Sequence, residues 1–368
     1  MKNAPGIKFQ ADDPFYRDVR ARVARYFDMT GRSHHDCPQT YLKSAIIIAC
    51  LATSYVLLVF IATAWWQAIP LAILLGLSVA VLGFNIQHDG GHRAFSRYAW
   101  INRLMAMSLD IVGGSSFIWN YKHNTLHHTY ANIDEHDDDI AIGALGRFSP
   151  EQRRHGFHRV QHFYMWMLYA LLLVKWHLFD DFHDLAVGKV GTHRFARPKG
   201  RDLAIFIGGK LAFFSLAFVI PMWLHPVWVS LAFYLLVSGF VGVLLSVVFQ
   251  LAHVVEQAHF PVPDGETGRM PTSWAAHQVE TTVNFSRRNP LLTWYLGGLN
   301  FQVEHHLFPR TCHAYYPRLS RLVEKACARH GLRYNDHGSL LAGISSHFRW
   351  LRKMGQSDTV ANAAVHPA

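Results

Sequence analysis

The sequence predicts an all-α integral-membrane protein with four transmembrane helices in two hairpins and a helical, histidine-rich cytoplasmic cap. Three observations indicate this fold class. Four long apolar runs occur as two pairs, and each pair is joined by a very short connection. Lys and Arg are concentrated in the long polar segments outside these pairs. Histidine, with 25 residues, is as frequent as Asp and Glu together, so its excess needs a structural or chemical reason.

The first hairpin is predicted from two apolar runs near the N-terminus. Residues 44–64 contain no charged side chain, and Trp65 and Trp66 follow where an aromatic belt is expected. The second run, residues 69–86, comes after a short turn. Residues 1–42 precede the hairpin as a cytoplasmic segment and lack the apolar core of a cleavable signal peptide. We therefore expect the spans themselves to direct membrane insertion.

The second hairpin is predicted from residues 203–224 and 227–252, which are joined only by His225 and Pro226. The first of these runs contains Lys210, about two turns inside its helix. A lysine at that depth can snorkel toward the membrane interface.

The central polar segment contains two moderately apolar stretches, residues 100–119 and 163–179, and both include charged side chains. We expect interfacial or buried helices there, with a crossing by residues 163–179 as the open alternative. The predicted domain organisation is thus a membrane domain over residues 43–330 and a C-terminal tail over residues 331–368.

Charge predicts the orientation and some partners. The two short connections contain no Lys or Arg, so both termini and both long polar segments are expected in the cytoplasm, with the protein in the bacterial inner membrane. The net charge of +10 suits contact with anionic lipid headgroups or with an acidic electron carrier. Nucleic-acid binding is disfavoured, because no known motif for it occurs. The four cysteines form no CxxC pair and are expected as free thiols in a reducing compartment.

Three histidine motifs lie beside the predicted spans: HDGGH directly after the second span, HNTLHH in the central segment, and QVEHH after the second hairpin. One pair at i, i+4 spacing is weak evidence for a metal, because such pairs often lie on a solvated surface. Three motifs in one chain are a much stronger signal. Adjacent histidines diverge by about 100 degrees on a helix and can therefore face two different metals. The motif residues are His88, His92, His123, His127, His128, Gln302, His305 and His306.

The number of ligands favours iron over zinc. Zinc is satisfied by about four ligands, whereas at least seven histidines cluster here, enough for two centres with open positions for oxygen. Glu256 and His259 have the spacing of a soluble di-iron motif, but such sites need a second copy. We interpret that pair as coincidence. For the remaining histidines, such as His313, a structural role is expected.

These motifs, in this order and with a hairpin between the second and the third, resemble the three histidine boxes of the membrane fatty acid desaturases. The resemblance extends from about residue 41 to residue 321, and QVEHH resembles the front-end and linoleoyl-type enzymes. It implies an oxygen-dependent enzyme that introduces a double bond into a fatty acyl chain with two non-haem irons. The implied ligands are the seven motif histidines together with His253, which follows the fourth span.

The resemblance also implies roles for residues near the metal. Gln302 would tune one iron, and Asn284, in VETTVNF, would hold an iron-bound water. Trp119 and Gly114 are candidates for the wall of an acyl tunnel, although aromatic and small residues are more often simple packing. The sequence contains no HPGG motif of a fused cytochrome b5 domain. We therefore expect a separate ferredoxin or cytochrome b5-type donor with its reductase.

Several alternatives stay open at this point. The same ligands support an acyl hydroxylase or an acetylenase, and the acyl group can be carried by coenzyme A, by acyl carrier protein or by a phospholipid. An alkane hydroxylase is disfavoured, since no NYxEHYG segment occurs. A membrane receptor or transporter would place polar groups in the middle of its spans, where only Lys210 qualifies.

Overall fold

The computed structural model describes residues 6–356, and most of them are helical. The α-helices, in chain order, are α1 (Pro14–Thr30), α2 (Pro38–Val56), α3 (Trp65–Leu82), α4 (His88–Gly91), α5 (Ala99–Ala106), α6 (Ser108–Ile111), α7 (Ser116–Trp119), α8 (His128–Tyr130), α9 (Gln161–Ala170), α10 (Leu172–Lys175), α11 (Asp181–Val187), α12 (Arg201–Phe214), α13 (Ile220–Leu224), α14 (Val227–His253), α15 (Trp274–Thr281), α16 (Pro290–Tyr295), α17 (Gln302–Leu307), α18 (Tyr316–Arg329) and α19 (Leu340–Gln356).

Shorter elements connect these helices. Within residues 6–356, five segments are π-helical: Leu57–Ile61, Gly83–Gln87, Asn120–His127, Trp176–Asp180 and Ser215–Val219. Four are 3₁₀-helical: Asp138–Ile140, Gly143–Leu145, Gly156–Val160 and His313–Tyr315. The strands are β1 (Lys8–Gln10), β2 (Lys189–Val190), β3 (His193–Arg194), β4 (Arg269–Ser273), β5 (Asn284–Phe285) and β6 (Asp336–His337). They form three two-stranded pairs, in which β1 and β4 are parallel, β2 and β3 antiparallel, and β5 and β6 parallel.

Four helices among the described residues are long and apolar enough to cross a membrane, which confirms the predicted fold class. They are span 1 (Pro38–Ile61), span 2 (Trp65–Gly91), span 3 (Arg201–Leu224) and span 4 (Val227–His253). Spans 1, 2 and 3 each include a π-helical turn. Span 1 begins earlier, and span 2 ends later, than hydropathy predicted, because polar residues can continue a helix beyond its apolar part. Span 2 therefore includes His88.

The two moderately apolar stretches form short helices. Residues 100–119 lie in α5, α6 and α7, and residues 163–179 lie in α9, α10 and a π-helical turn. None of these helices reaches the length of a span within residues 6–356. Both stretches thus form short helices, and their interfacial or buried position relative to the bilayer stays a prediction.

Both ends of the described chain pack onto the helical body. Helix α1 packs against α15 and α18, with Phe15 and Val19 in one buried cluster with Val303 and Val323. Helix α19 packs against α9 and α14 and buries Trp350. Residues 340–356 thus belong to the packed body, although they lie beyond residue 330, where the sequence placed the end of the membrane domain. Residues 357–368 of the predicted tail lie outside the described residues.

Lys210 does not snorkel, which corrects the sequence-based interpretation. Its side chain is buried, and Nζ donates to Asp181 Oδ2 at 2.6 Å and to the Gly113 carbonyl at 2.6 Å. Asp181 begins α11, so the ion pair joins span 3 to the cap. A buried lysine is stabilised when a carboxylate and a carbonyl replace its water ligands.

Candidate metal centre

The first histidine motif lies at the C-terminal end of span 2. After the π-helical turn Gly83–Gln87, α4 carries His88, and His92 follows at its C-terminus. The two glycines between them allow close approach of other elements. A Cβ atom on Gly90 would lie 2.6 Å from the backbone nitrogen of Ala106, and one on Gly91 would overlap the indole ring of Trp119.

The second motif lies on a π-helical segment, Asn120–His127, except for His128, which begins α8; it does not lie on the regular α-helix that its spacing suggested. A π-helix closes each turn one residue later than an α-helix, and such turns often occur at functional sites. Asn124 Nδ2, in this segment, donates to the Gly91 carbonyl at 2.8 Å. The second motif is thereby attached to the first.

The third motif forms α17, and Asn284 holds the beginning of that helix. Asn284 Oδ1 accepts from the Val303 amide at 2.9 Å, while Nδ2 donates to Glu304 Oε2 at 2.9 Å and to the Tyr334 hydroxyl at 2.6 Å. The structure therefore gives Asn284 a positioning contact. The role predicted for it toward an iron-bound water stays a prediction.

Eight buried histidines from four separate regions of the chain converge at one end of the spans. Within each group, one possible ligand atom per residue lies within 4.8 Å of the others. His127 and His128 fall in different groups, although they are neighbours in sequence. The groups made only of histidines are His88, His92, His123 and His305; His127, His253 and His306; and His128, His305 and His306, and a further group joins His123 and His127 with Asp139.

The free ring nitrogens test whether a metal fits this site. Among the eight converging histidines, five buried ring nitrogens have no hydrogen-bond partner within the described part of the chain: Nε2 of His88, His92, His305 and His306, and Nδ1 of His128. In addition, Nε2 of His123 and Nε2 of His128 face each other at 3.3 Å. Neighbouring ligands on one metal are separated by about 3 Å, given metal–nitrogen distances of about 2 Å. A buried polar atom without a partner is costly, so the donor set fits a metal.

Burial keeps most of these rings neutral, as metal ligation requires. Burial, reinforced by the neighbouring histidines, lowers the pKa of His92, His123, His128, His305 and His306 well below the ordinary value. His127 is the exception. Burial acts to lower its pKa, but the carboxylates of Asp137 and Asp139 outweigh that effect and raise the pKa of His127 to about 9.

Outer partners fix the orientation of four of the rings. Nδ1 of His127 lies 3.1 Å from the Asp137 carboxylate, and Nδ1 of His306 lies 2.8 Å from the Gln278 side-chain oxygen. Nδ1 of His305 lies 3.3 Å from the Tyr316 hydroxyl, and Nδ1 of His253 lies 3.1 Å from the Thr281 carbonyl. Each contact leaves Nε2 for a metal, and such partners orient ligating histidines and raise their basicity. Sequence reasoning missed these residues. Only Asp137 gave a signal, as part of the acidic run after the second motif.

His313, for which the sequence suggested no partner, belongs to the support of the first motif. Its Nδ1 lies 2.7 Å from Asp89 Oδ2, and its Nε2 lies 3.4 Å from Lys43 Nζ. Glu256 pairs with Arg349, and neither Glu256 nor His259 belongs to the histidine groups found among residues 6–356. The interpretation of Glu256 and His259 as coincidental spacing agrees with this placement.

A largely apolar cavity of about 1020 Å³ lies between the four spans. It extends from Trp65 and His225, at the short connections, to Ile86 and Met105, near the first histidine motif. Its wall also includes the polar side chains of Asp110, His177 and Tyr234.

The residues proposed for a tunnel wall, Trp119 and Gly114, do not line this cavity. The Trp119 ring stacks on His123, with ring centroids 4.5 Å apart, and Gly114 packs against Leu109 and Trp176. Gln302 is buried at the start of α17, beside the third histidine pair. The tunnel and tuning roles of these three residues stay predictions.

Comparisons with known proteins agree with the site. Residues 64–338 match the fatty acid desaturase family model. The chain is 37% identical over 365 residues to an sn-1 linoleoyl-lipid 6-desaturase of Synechocystis sp., covering 97% of this chain and 100% of that protein. It is 35% identical to the enzyme of the same name from Arthrospira platensis, covering 95% of this chain and 94% of that protein. An acyl-lipid (8-3)-desaturase of Physcomitrium patens is 34% identical over 94% of this chain and 73% of that protein. With its four apolar helices and its converging histidines, the chain belongs to the fatty acid desaturase family, and it is a membrane oxidoreductase that desaturates fatty acyl chains.

Proposed function

We propose that the eight converging histidines hold two non-haem irons. The main support is that ring nitrogens of these histidines are buried without partners and that the possible ligand atoms within each group lie within 4.8 Å of one another. His88, His92, His123 and His305 would hold one iron, and His127, His253 and His306 the other, with His128 between them. Such a centre would supply the oxidant that removes two hydrogens from neighbouring methylene carbons, a step beyond any amino-acid side chain.

The overall reaction needs two electrons from an external donor. One saturated carbon–carbon bond, one dioxygen, two electrons and two protons give one double bond and two waters. The chain's own residues orient the ligands, with Asp137, Gln278 and Tyr316 fixing individual rings. They also exclude water, because all eight histidines are buried.

The apolar part of the acyl chain, we propose, lies in the cavity between the spans. The cavity is largely apolar and reaches Ile86, two residues before His88. A hydrocarbon chain in this cavity would have one end near the metal centre and the other near the short connections. The relatives are named as acyl-lipid enzymes, which supports an acyl group carried by a membrane lipid over one carried by coenzyme A or acyl carrier protein.

The further parts of the proposal concern electrons and location. A ferredoxin or cytochrome b5-type protein with its reductase would supply the two electrons, and the net charge of +10 suits an acidic donor. Both termini and the cap would be cytoplasmic, in a bacterial inner membrane, as the distribution of Lys and Arg indicates.

The test combines a lipid profile with an iron assay. In a host that expresses the protein, a new unsaturated fatty acid should appear in the membrane lipids, and the purified protein should contain about two irons per chain, as two histidine centres require. His127→Ala and His306→Ala should abolish the product and reduce the iron content. Their amount in the membrane should stay the same, because neither residue belongs to the apolar part of a span.

The matched control is His183→Ala, whose imidazole is half-exposed and lies outside the histidine groups. It should retain both product and iron. Normal activity in either ligand variant would contradict the metal assignment. A hydroxylated or acetylenic product would show that the enzyme catalyses hydroxylation or triple-bond formation in place of desaturation.

A further inference from the structure

Helix α18 has two contrasting faces above the third histidine motif. Its buried face includes Tyr316, Leu319 and Val323, which pack against α1 and α17. Its outer face carries four exposed basic residues at positions i, i+3, i+7 and i+11, within an arc of about 80 degrees at 100 degrees per residue. These residues are Arg318, Arg321, Lys325 and Arg329.

Three of these four cations are not neutralised. Arg329 approaches Asp18 at 3.7 Å, whereas Arg318, Arg321 and Lys325 make no ion pair with any residue between 6 and 356. The acidic residue that α18 itself contributes, Glu324, is already paired with Arg287 at 3.0 Å. The row is therefore a positive surface available to a negatively charged partner.

The same helix is connected directly to the metal centre. The hydroxyl of Tyr316, on the buried face, lies 3.3 Å from Nδ1 of His305. A protein bound to the outer face would be separated from His305 by little more than the thickness of one helix, roughly 10 Å.

The composition of α18 argues against a membrane contact. Helices that lie in the lipid interface expose large apolar side chains beside their basic residues. Among the described residues, large hydrophobic side chains are exposed at Trp294 and Leu341 on either side in sequence, but none is exposed within α18. A purely basic row suits an acidic protein surface better than a bilayer.

We propose that the row Arg318, Arg321 and Lys325 is the docking surface for an acidic one-electron carrier protein. This inference rests on the proposed desaturase function and specifies where its electrons enter. Each docking event oxidises one reduced carrier and delivers one electron toward His305, so two carriers are consumed for each double bond formed. Positive charges here would mainly speed the encounter and make it depend on salt.

The experiment measures binding directly with the full-length chain in detergent. The triple variant R318E/R321E/K325E and the wild type are titrated with an acidic [2Fe–2S] ferredoxin and, separately, with a soluble cytochrome b5 domain at low ionic strength. For at least one carrier, the triple variant should bind more weakly by on the order of tenfold or more, with a flatter salt dependence. The control R153E/R194E/K199E reverses three exposed charges on other elements and should bind like the wild type.

Turnover separates this inference from the proposed function. With chemical reduction by dithionite in place of the carrier, the triple variant should form product in a single turnover as well as the wild type does. If the wild type forms no product under these conditions, the proposed function fails, while the binding comparison still decides on the docking surface.

Equal binding of both carriers by the wild type and the triple variant would overturn the docking proposal, as would an equal loss in the control. Loss of binding to phosphatidylglycerol vesicles, with carrier affinity unchanged, would overturn it too and would assign α18 to the lipid surface.

Discussion

The contact between Asp137 and His127 offers a direct test of a single residue. Asp137 is buried and accepts from the Asn132 amide at 2.8 Å while it faces the imidazole. We predict that Asp137→Asn weakens iron binding by about 10- to 100-fold, the usual effect of removing a carboxylate behind a metal-ligating histidine. Iron content measured during titration with a chelator checks this.

Asp134→Asn is the matched control for Asp137. It changes a carboxylate in the same acidic run, which accepts from Gln152 Nε2 at 2.9 Å and has no contact with the histidine groups. Its iron affinity should equal that of the wild type. Equal affinities in all three proteins would remove Asp137 from the support of the metal centre.

At the scale of one element, the end of span 2 must pass close to its neighbours. A Cβ atom at Gly91 would overlap the Trp119 ring, which in turn stacks on His123. We predict that Gly91→Ala displaces Trp119 and costs about 1–3 kcal/mol, as overpacking does. The expected readouts are a lower thermal midpoint and a loss of iron.

Gly83 provides the comparison within the same span. A Cβ atom there would meet nothing within 4 Å, and the backbone is already helical. Gly83→Ala should leave iron content unchanged and should not lower the thermal midpoint, since alanine is the better helix former. Equal behaviour of the two variants would show that the approach of Trp119 to Gly91 has no role in holding the motif.

At the scale of the whole molecule, all ligands must meet on one side of the bilayer. We predict that cysteines placed at Trp66 and Trp223, near the two short connections, react with a membrane-impermeant maleimide from outside intact cells. Cysteines at Arg194 and Arg310 should react only after permeabilisation. Both tryptophans lie at the span ends next to these connections, and with exposures of 75% and 87% neither is covered by other parts of the protein.

The background for this labelling needs few changes. Cys50 is exposed and Cys37 is partly exposed, so both are replaced by serine, whereas Cys312 and Cys327 are buried. Labelling at Arg310 from outside would place the third motif opposite the other two. A shared metal centre would then be impossible.

The sequence by itself determined the class of the fold and the chemistry of the site. Long apolar runs cross a bilayer because their backbone polar groups are satisfied within the helix, so hydropathy alone located four spans. The histidine motifs are local in sequence. His88, His127 and His306 could therefore be identified without knowing how the chain folds.

The tertiary structure decided which groups meet. Asp137, Gln278 and Tyr316 reach their histidines across 10, 28 and 11 residues, respectively, and no spacing rule predicts such contacts. The partner of Lys210 could not be predicted from local sequence either, since Asp181 lies 29 residues away. The side chain that was expected to snorkel therefore forms a buried ion pair. The local sequence determines the chemistry that a side chain offers. Its partner is determined by the packing of elements that are distant in sequence, because a buried polar group needs a hydrogen-bond or charge partner and only the fold brings one beside it.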